Sequence, residues 1–350
     1  MGCMREQCGT LKNHWYVAAQ SGQVQRKAPL PSVILETRLV LFRQQDGQVA
    51  ALRDRCSHRH MPLSFGKVEG DAVRCMYHGW SYDRTGECVN VPSEGPCGKA
   101  FAGRAVESFP VIETKGLIWV WMGGPANPPD KQPFEMPSMA DDGWRGFYME
   151  NMFEANVTNC VENFIDVPHT VWVHPGWFRD RKGIKVPVSV ERTDHSVALT
   201  YHTQEDSFGW GNWLFNPKKL PMVHTDRFVM PNNTRVDYIW GEQERGFVII
   251  STSVPVTPEL TRVYTLVNLK CGVLTPLLTW AMRWYAQKII AQDYNMMAKQ
   301  SRSLADGDIH FRHTPADTPH LFVESLRHWA EQGEVGKAPT PAVKEIEIWL

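Results

Sequence analysis

Two short segments of the sequence each contain one cysteine and one histidine. The first is Cys56-Ser57-His58, and the second, after a spacer of sixteen residues, places Cys75 three residues before His78. Two thiolates and two imidazoles can ligate a [2Fe–2S] cluster, with the cysteines on one iron and the histidines on the other. The same residues could hold structural zinc, but zinc fingers pair cysteine with cysteine and histidine with histidine. The pattern therefore favours the cluster.

A second group of potential metal ligands lies in residues 163–174. Asp166 and His169 are three residues apart, so a helix would place them on one face, and His174 follows five residues later. Pro168 would loosen a helix here and allow both imidazoles to converge on one ion. Two histidines and one carboxylate form the facial triad of non-haem iron(II) oxygenases, which leaves positions open for O₂ and substrate. Asp166 could supply that carboxylate.

The residues around the first pair of segments resemble a known family. Cys56-Ser-His-Arg-His-Met-Pro-Leu-Ser-Phe-Gly-Lys-Val68 and Cys75-Met-Tyr-His-Gly-Trp80 are similar to the two cluster-binding loops of Rieske proteins. This resemblance implies one [2Fe–2S] cluster held by the four residues named above.

The second segment extends the resemblance to the Rieske non-haem iron oxygenases. Asp166, His169 and His174 match the family motif Asp-x-x-His-x-x-x-x-His, and Asp293 matches a carboxylate that the family carries on a late helix. The resemblance implies a mononuclear Fe(II) site of His169, His174 and Asp293, with Asp293 preferred to Asp166 as the third ligand. Asp166 is then expected to bridge the two centres for electron transfer, and Asn163 to lie near the iron.

Within this family the chain resembles the oxygenase subunits of vanillate and dicamba O-demethylases, methylxanthine N-demethylases, and chlorophyllide a and pheophorbide a oxygenases. We therefore expect the oxygenase component of a monooxygenase that uses O₂ and external electrons to hydroxylate a small aromatic or heteroaromatic substrate, or to O- or N-demethylate it. The alternatives are a Rieske aromatic-ring dioxygenase and a Rieske electron-transfer or redox-sensor protein without oxygen chemistry.

The resemblance also implies protein partners. Family members form head-to-tail homotrimers, which would place His78 of one subunit opposite Asp166 of the next. The sequence contains no Gly-x-Gly-x-x-Gly dinucleotide fingerprint. We therefore expect a separate NAD(P)H-dependent reductase or ferredoxin to supply the electrons.

Tryptophan is abundant, with 14 residues in a chain of 350. Aromatic side chains favour planar apolar ligands through contact area and stacking, although for any single residue a place in the core is the favoured alternative. The candidate substrate-binding residues are Trp172, Trp210, Trp213 and Trp240.

The length favours two domains. Residues 1–30 are expected to form a lead segment and residues 31–123 an antiparallel β Rieske domain. Residues 124–139 are rich in proline and glycine and predict a linker. Residues 140–350 are expected to form the catalytic domain.

Hydrophobic periodicity predicts an α+β fold class, in which a helix-capped antiparallel sheet follows the Rieske domain. Helices are expected at about residues 156–164 and 275–303. The expected strands are residues 32–35, 38–42, 50–52, 73–74, 80–82, 117–122, 188–191, 197–201, 227–230, 235–240, 247–254 and 261–267.

Charge and hydropathy argue against several classes of partner. The formal net charge is −1, with 37 basic and 38 acidic residues interspersed, which is not typical of a nucleic-acid or anionic-membrane binder. The most apolar stretch, residues 272–282, is too short for a membrane span and predicts a buried helix. The first residues lack a signal-peptide core and a myristoylation motif, so we expect a cytoplasmic protein.

Overall fold

The computed structural model describes residues 11–95, 103–123, 131–137, 139, 143–177, 183–202, 216, 218, 220–241, 245–307, 309–334 and 337–350. The chain divides into an N-terminal unit, Lys12–Glu135, and a C-terminal unit that contains Met136–Leu350. The N-terminal unit includes part of the expected lead segment. Half of the expected linker, residues 124–130 and 138, lies outside the described residues, as do residues 140–142 that follow it.

Short strands make up most of the N-terminal unit. They are β1 (Trp15–Gln20), β2 (Leu30–Ile34), β3 (Thr37–Arg43), β4 (Val49–Arg53), β5 (Lys67–Glu69), β6 (Ala72–Arg74), β7 (Ser81–Tyr82), β8 (Cys88–Asn90), β9 (Ser108–Phe109), β10 (Val111–Thr114) and β11 (Leu117–Trp121). They pair in three antiparallel sheets, in the orders β1-β11-β10, β2-β3-β4-β9 and β5-β6-β7-β8.

The core of this unit is built from strands rich in β-branched and aromatic residues. Strand β11 is buried along its whole length, and Val40, Phe42 and Leu52 of β3 and β4 pack beneath the loops that carry Cys56 and Cys75. Such residues fit a pleated surface that is covered by a neighbouring layer. The apolar strands therefore form a rigid base for the two cysteine loops.

The C-terminal unit contains one eight-stranded antiparallel sheet. Its strands are β12 (Arg145–Phe153), β13 (Lys185–Arg192), β14 (Ser196–Tyr201), β15 (Met222–Val229), β16 (Asn233–Trp240), β17 (Arg245–Thr257), β18 (Leu260–Lys270) and β19 (Ala342–Trp349). The strand order is β12-β18-β17-β16-β15-β14-β13-β19. The described helices are α1 (Val157–Asn163), α2 (Thr170–Val173), α3 (Thr275–Ala305) and α4 (Thr318–Glu331).

The helices cover one face of this sheet. Alternate residues of β13 are buried, and Phe322, Val323 and Leu326 of α4 share their apolar cluster. The α3 helix packs against β12 and β18 and begins with a proline in its first turn, where no backbone N–H is required. The side chain of Asn156 caps α1 by accepting a hydrogen bond from the amide of Asn159 at 2.8 Å.

This architecture confirms the predicted α+β class, and α3 confirms the long helix to within two residues at its end. The prediction of a buried helix for residues 272–282 was wrong, because the stretch forms a short 3-10 turn, Gly272–Leu274, and the largely exposed first turns of α3. Val273 is 96% exposed, Leu277 64% and Trp280 77%. In the described part of the chain, no helix combines the length and the apolar character that crossing a membrane requires.

Candidate metal centres and cavity

The loops that carry Cys56 and Cys75 share one backbone design. Cys56 follows β4, and Cys75 directly follows β6. In each loop the amide of the cysteine donates to the carbonyl five residues later, to Met61 at 2.9 Å and to Trp80 at 2.8 Å. Each loop therefore curls around its own cysteine and turns the thiol inwards.

The fourth residue after each cysteine closes the loop. The amide of His60 donates to the carbonyl of Cys56 at 3.0 Å, and that of Gly79 donates to Cys75 at 3.2 Å. Both residues have a positive φ, 59° for His60 and 75° for Gly79. A Cβ at Gly79 would lie 2.9 Å from Cγ of Pro92, so this position requires glycine on two grounds.

The four predicted cluster ligands come together at the tips of these loops. Both thiols are buried, whereas His58 is half-buried and His78 is exposed. The imidazole rings of His58 and His78 have centroids 4.6 Å apart, and Nδ1 of His58 is buried without a hydrogen-bond partner. Two inner thiols, two outer imidazoles and an unsatisfied ring nitrogen fit a [2Fe–2S] cluster.

Aromatic residues surround the cysteine and histidine ligands. The hydroxyl of Tyr82 lies 3.1 Å from Sγ of Cys56, and the ring of Trp80 stacks on His58 at 4.6 Å with an interplanar angle of 4°. Burial, followed by the neighbouring thiol, raises the pKa of Tyr82. Tyr82 therefore keeps its proton and can donate a hydrogen bond to the Cys56 thiolate.

The second candidate centre is built on a short turn rather than a bent helix. The α1 helix ends at Asn163, and His169 and His174 lie at the two ends of the single-turn helix α2. Pro168 therefore precedes α2 and does not kink α1, so the predicted loosening within a helix was wrong. The two rings have centroids 5.4 Å apart and an interplanar angle of 74°.

Asp293 completes this group from the middle of α3. It is 5% exposed, and its Oδ1 lies 3.5 Å from Nε2 of His169 and 3.1 Å from Nε2 of His174. That oxygen accepts no hydrogen bond, although it is buried. Two imidazole nitrogens facing one unsatisfied carboxylate oxygen fit a divalent metal ion, and this donor set suits Fe(II).

Both imidazoles are oriented by partners at their other nitrogen. Nδ1 of His169 contacts the backbone carbonyl of Asp166, and Nδ1 of His174 lies 2.9 Å from Oε1 of Gln292. The carboxylate of Asp166 is also near, with Oδ2 3.6 Å from Nδ1 of His169. Since these oxygens accept the Nδ1 protons, both Nε2 atoms face Asp293.

The charges of this group reinforce one another. Burial opposes protonation of His169, but the carboxylates of Asp166 and Asp293 together outweigh it and raise its pKa to about 9. Burial likewise favours the neutral acid at Asp293, but the two imidazoles outweigh this effect and lower its pKa. In the metal-free protein a proton therefore lies between His169 and Asp293, in the space that a metal cation would occupy.

An apolar cavity of about 330 Å³ opens onto this group. It lies between the sheet and α3, and its wall includes His169, His174, Asp293 and also Asn163 and Asp166. Aromatic side chains form much of the remaining wall: Phe164, Trp177, Tyr238, Phe247, Trp284 and Tyr285. The volume and lining are typical of a site for a small apolar molecule.

Two of the four tryptophans predicted to bind substrate, Trp172 and Trp240, do not form this wall. Trp172 projects from α2 with 63% of its surface exposed, and Trp240 is 1% exposed within an apolar cluster of the sheet. Neither lines the cavity. Trp210 and Trp213 lie outside the described residues.

Helical periodicity could have identified part of the true lining. Counting back from Asp293 by three, seven and eleven residues along α3 gives Ile290, Ala286 and Met282, which all line the cavity. Asp226, Tyr238 and other residues contributed by the sheet carry no comparable signal, because their position depends on strand pairing.

Two known protein families match the chain. Residues 14–110 match the Rieske [2Fe-2S] domain, and residues 153–321 match the vanillate O-demethylase oxygenase C-terminal domain. The chain is 41% identical over 166 residues to a putative toluene-4-sulfonate monooxygenase iron-sulfur subunit of Comamonas testosteroni, which covers 47% of this chain and 46% of that protein. It is 38% identical over 164 residues to the oxygenase component of dicamba O-demethylase of Stenotrophomonas maltophilia, covering 47% and 48%.

The matched stretch thus spans about half the length of these relatives. The fold comparison extends further. The crystal structure of dicamba monooxygenase bound to dicamba superimposes with a TM-score of 0.79 at 25% identity, over 93% of this chain and 99% of that one. NdmA of Pseudomonas putida CBB5 has the same fold, with a TM-score of 0.74 at 22% identity over 96% and 97%.

A Rieske domain followed by an oxygenase-type domain with a candidate mononuclear metal site defines a two-centre redox protein. The chain belongs to the Rieske non-haem iron oxygenases, which confirms the resemblance seen in its motifs.

Proposed function

We propose that this protein is the oxygenase component of a monooxygenase that uses O₂ and external electrons to hydroxylate a small aromatic or heteroaromatic molecule. The observation that carries the proposal is the position of His169, His174 and Asp293 at the wall of an apolar cavity. A ferrous ion held there would supply sites for O₂, and the cluster would supply electrons.

The residues of the cavity have two tasks in this proposal. The apolar wall excludes water, and the aromatic rings of Trp177, Phe247 and Trp284 give a planar ligand contact area next to the metal-binding group. Asn163 has a buried side-chain oxygen without a partner at this wall, so it can accept a hydrogen bond from a group bound in the cavity.

We further propose that electrons pass through Asp166. Its backbone carbonyl contacts His169, its carboxylate lies 3.6 Å from the same ring, and its side chain retains 28% exposure. His78, on the cluster loop, is exposed as well, and the neighbouring Tyr77 is 63% exposed. These exposed groups support a head-to-tail homotrimer in which His78 of one protomer meets Asp166 of the next.

The electrons would come from a separate NAD(P)H-dependent reductase or a ferredoxin, in the cytoplasm. Demethylation is our preferred outcome, because relatives include dicamba O-demethylase and 5,5'-dehydrodivanillate O-demethylase. Ring dioxygenation is the second candidate, since another relative, 30% identical over 169 residues, is a 3-chlorobenzoate-3,4-dioxygenase subunit.

A substrate panel tests this function. Purified protein with both centres loaded, a surrogate reductase and NADH are incubated with methoxylated aromatics, N-methyl heteroaromatics and unmethylated rings. Substrate-dependent O₂ uptake with one formaldehyde per product supports demethylation, and cis-diol products support the second candidate. An Asp166→Asn variant should keep cluster and iron yet lose most turnover. If the rate at which O₂ oxidises the reduced cluster is the same with and without substrate, and the same in a His169→Ala variant, the oxygenase activity is contradicted.

A further inference from the structure

The sheet side of the cavity carries a buried carboxylate that the candidate metal centre does not use. Asp226 of β15 is 1% exposed and lines the cavity. Its Oδ1 lies 3.0 Å from Nε2 of His224, and its Oδ2 accepts a hydrogen bond from the hydroxyl of Tyr201 at 2.8 Å. A buried carboxylate is costly unless such partners compensate it.

The two partners are themselves held in place by a row of rings that crosses four strands. Tyr201, His224, Tyr238 and Phe247 are register partners on β14, β15, β16 and β17. Successive ring centroids are 4.1, 4.2 and 4.7 Å apart, and all three pairs are stacked. This stack fixes the direction in which Asp226 presents its oxygens, as a preorganised binding group requires.

Each carboxylate oxygen keeps an unused acceptor position, because a carboxylate group offers about four and the described residues use two of them. The neighbouring row of the same sheet face adds hydroxyl groups to the wall, from the register partners Thr234, Ser251 and Thr265. Among the described residues that line the cavity, none is a lysine or an arginine. Away from the metal-binding group, the described part of the wall would therefore offer an anionic substituent a carboxylate and no lysine or arginine.

We propose that the cavity takes a neutral or cationic aromatic molecule with a hydroxyl or amine N–H group, and that Asp226 is the acceptor that orients it. Aromatic carboxylates and sulfonates are disfavoured by the same group. This inference rests on the proposed function in one respect, because it assumes that the cavity is where the substrate binds. It deepens that function by assigning the polar group by which the substrate is recognised.

Binding of a matched ligand series tests the inference without turnover. The loaded protein is titrated under argon, without reductant, with toluene, 4-methylphenol, 4-methylaniline, 4-methylbenzoate and toluene-4-sulfonate, and binding is measured by calorimetry. A hydrogen bond to a charged acceptor should make the phenol and the aniline bind about tenfold more tightly than toluene. The benzoate and the sulfonate should bind more weakly than toluene.

Asp226→Asn removes the charge at nearly constant shape and should reduce the preference for the phenol over the benzoate about tenfold. The matched control is Asp237→Asn on β16, which lies on the opposite face of the sheet from Val236 and Tyr238 and should leave every affinity unchanged. Tyr201→Phe, which removes one hydrogen bond to Asp226, should have a smaller effect than Asp226→Asn. Circular dichroism and thermal unfolding verify that each variant is folded.

Binding data for the unsubstituted protein are sufficient to overturn the inference. Tighter binding of the benzoate or sulfonate than of the phenol would do so, as would failure of both donor-bearing ligands to bind. An unchanged preference in a folded Asp226→Asn variant would also contradict it. Because the titration needs neither O₂ nor reductase, a failure here leaves the oxygenase proposal standing, and a lack of turnover does not affect the binding result.

Discussion

Nδ1 of His174 lies 2.9 Å from Oε1 of Gln292, the residue that directly precedes Asp293 on α3. An amide oxygen can only accept, so the imidazole proton lies on Nδ1 and the lone pair of Nε2 faces Asp293 at 3.1 Å. Two consecutive residues of α3 thus have different roles. Asp293 is a candidate metal ligand, and Gln292 sets the tautomer of a second candidate ligand, His174. Gln292 was not predicted from the sequence.

Replacement of Gln292 should weaken metal binding. Gln292→Leu leaves the Nδ1 proton of His174 without its acceptor, and loss of such an orienting partner typically lowers metal affinity about 10–100-fold. Gln292→Glu keeps an acceptor and should retain the metal. Competition titration of Fe(II) against a chelator measures the effect, and Gln287→Leu, an exposed position of the same helix, is the control. Wild-type affinity in Gln292→Leu would contradict the assignment.

The two candidate centres should be separable by mutation. His169→Ala or His174→Ala should remove the mononuclear iron and abolish product formation, while the visible spectrum of the cluster persists, because its ligands lie in the other unit. Iron should fall from about three to about two per chain. His195→Ala, whose side chain is 68% exposed in a turn, should change neither quantity. Unchanged turnover in both His169→Ala and His174→Ala would exclude the candidate mononuclear site as the place of reaction.

Metal binding should depend on pH through His169. Its pKa is raised to about 9, so below that pH a proton must leave before Nε2 can bind a cation. The apparent affinity should therefore increase by about tenfold per pH unit from pH 7 and level off above about pH 9. Titration with Co(II) in a series of buffers gives this profile. Asp166→Asn removes one cause of the raised pKa and should move the plateau to lower pH; a flat profile in the wild type would contradict this account.

The parts of the fold that could be predicted from sequence are those with strong local patterns. Buried strands rich in β-branched residues, such as Thr37–Arg43 and Leu260–Lys270, were found, and so was the long helix Thr275–Ala305. The strands Arg145–Phe153 and Ala342–Trp349 were missed. Their place in the sheet depends on β18 and β13, which are distant in sequence. Pairing of this kind leaves little trace in a local window.

The candidate site shows the same division. Motif spacing brought His169 and His174 forward as ligands because a metal requires defined donor types, and Asp293 was added by the resemblance to Rieske oxygenases. The structure brings the donor atoms of all three residues together. The substrate residues could not be selected by counting tryptophans, since residue type does not say which face is inward. Trp172 occupies the outer side of α2, whereas Trp284, which was not selected, lines the cavity.

The hydroxyl of Tyr82, 3.1 Å from Sγ of Cys56, should raise the reduction potential of the cluster, because a hydrogen bond to a ligand sulfur stabilises the more negative reduced state. Tyr82→Phe keeps the ring and removes the donor, so the potential should fall. Spectroelectrochemistry measures the change. Tyr16→Phe, in a different sheet of the same unit, serves as the control. An equal or higher potential in Tyr82→Phe would show that the hydroxyl does not donate to the cluster.

Gly79 should be required for the second cluster loop. Its φ of 75° is unfavourable for any residue with a Cβ, by about 1–2 kcal/mol, and that Cβ would also lie 2.9 Å from Pro92. Gly79→Ala should therefore lower both the free energy of unfolding and the cluster content. Gly47→Ala isolates the first effect, because Gly47 has a φ of 92° and a Cβ added there would have no atom within 4 Å. Denaturant unfolding and acid-labile sulfide should show the larger loss in Gly79→Ala; equal losses in both variants would mean that the contact with Pro92 has no influence.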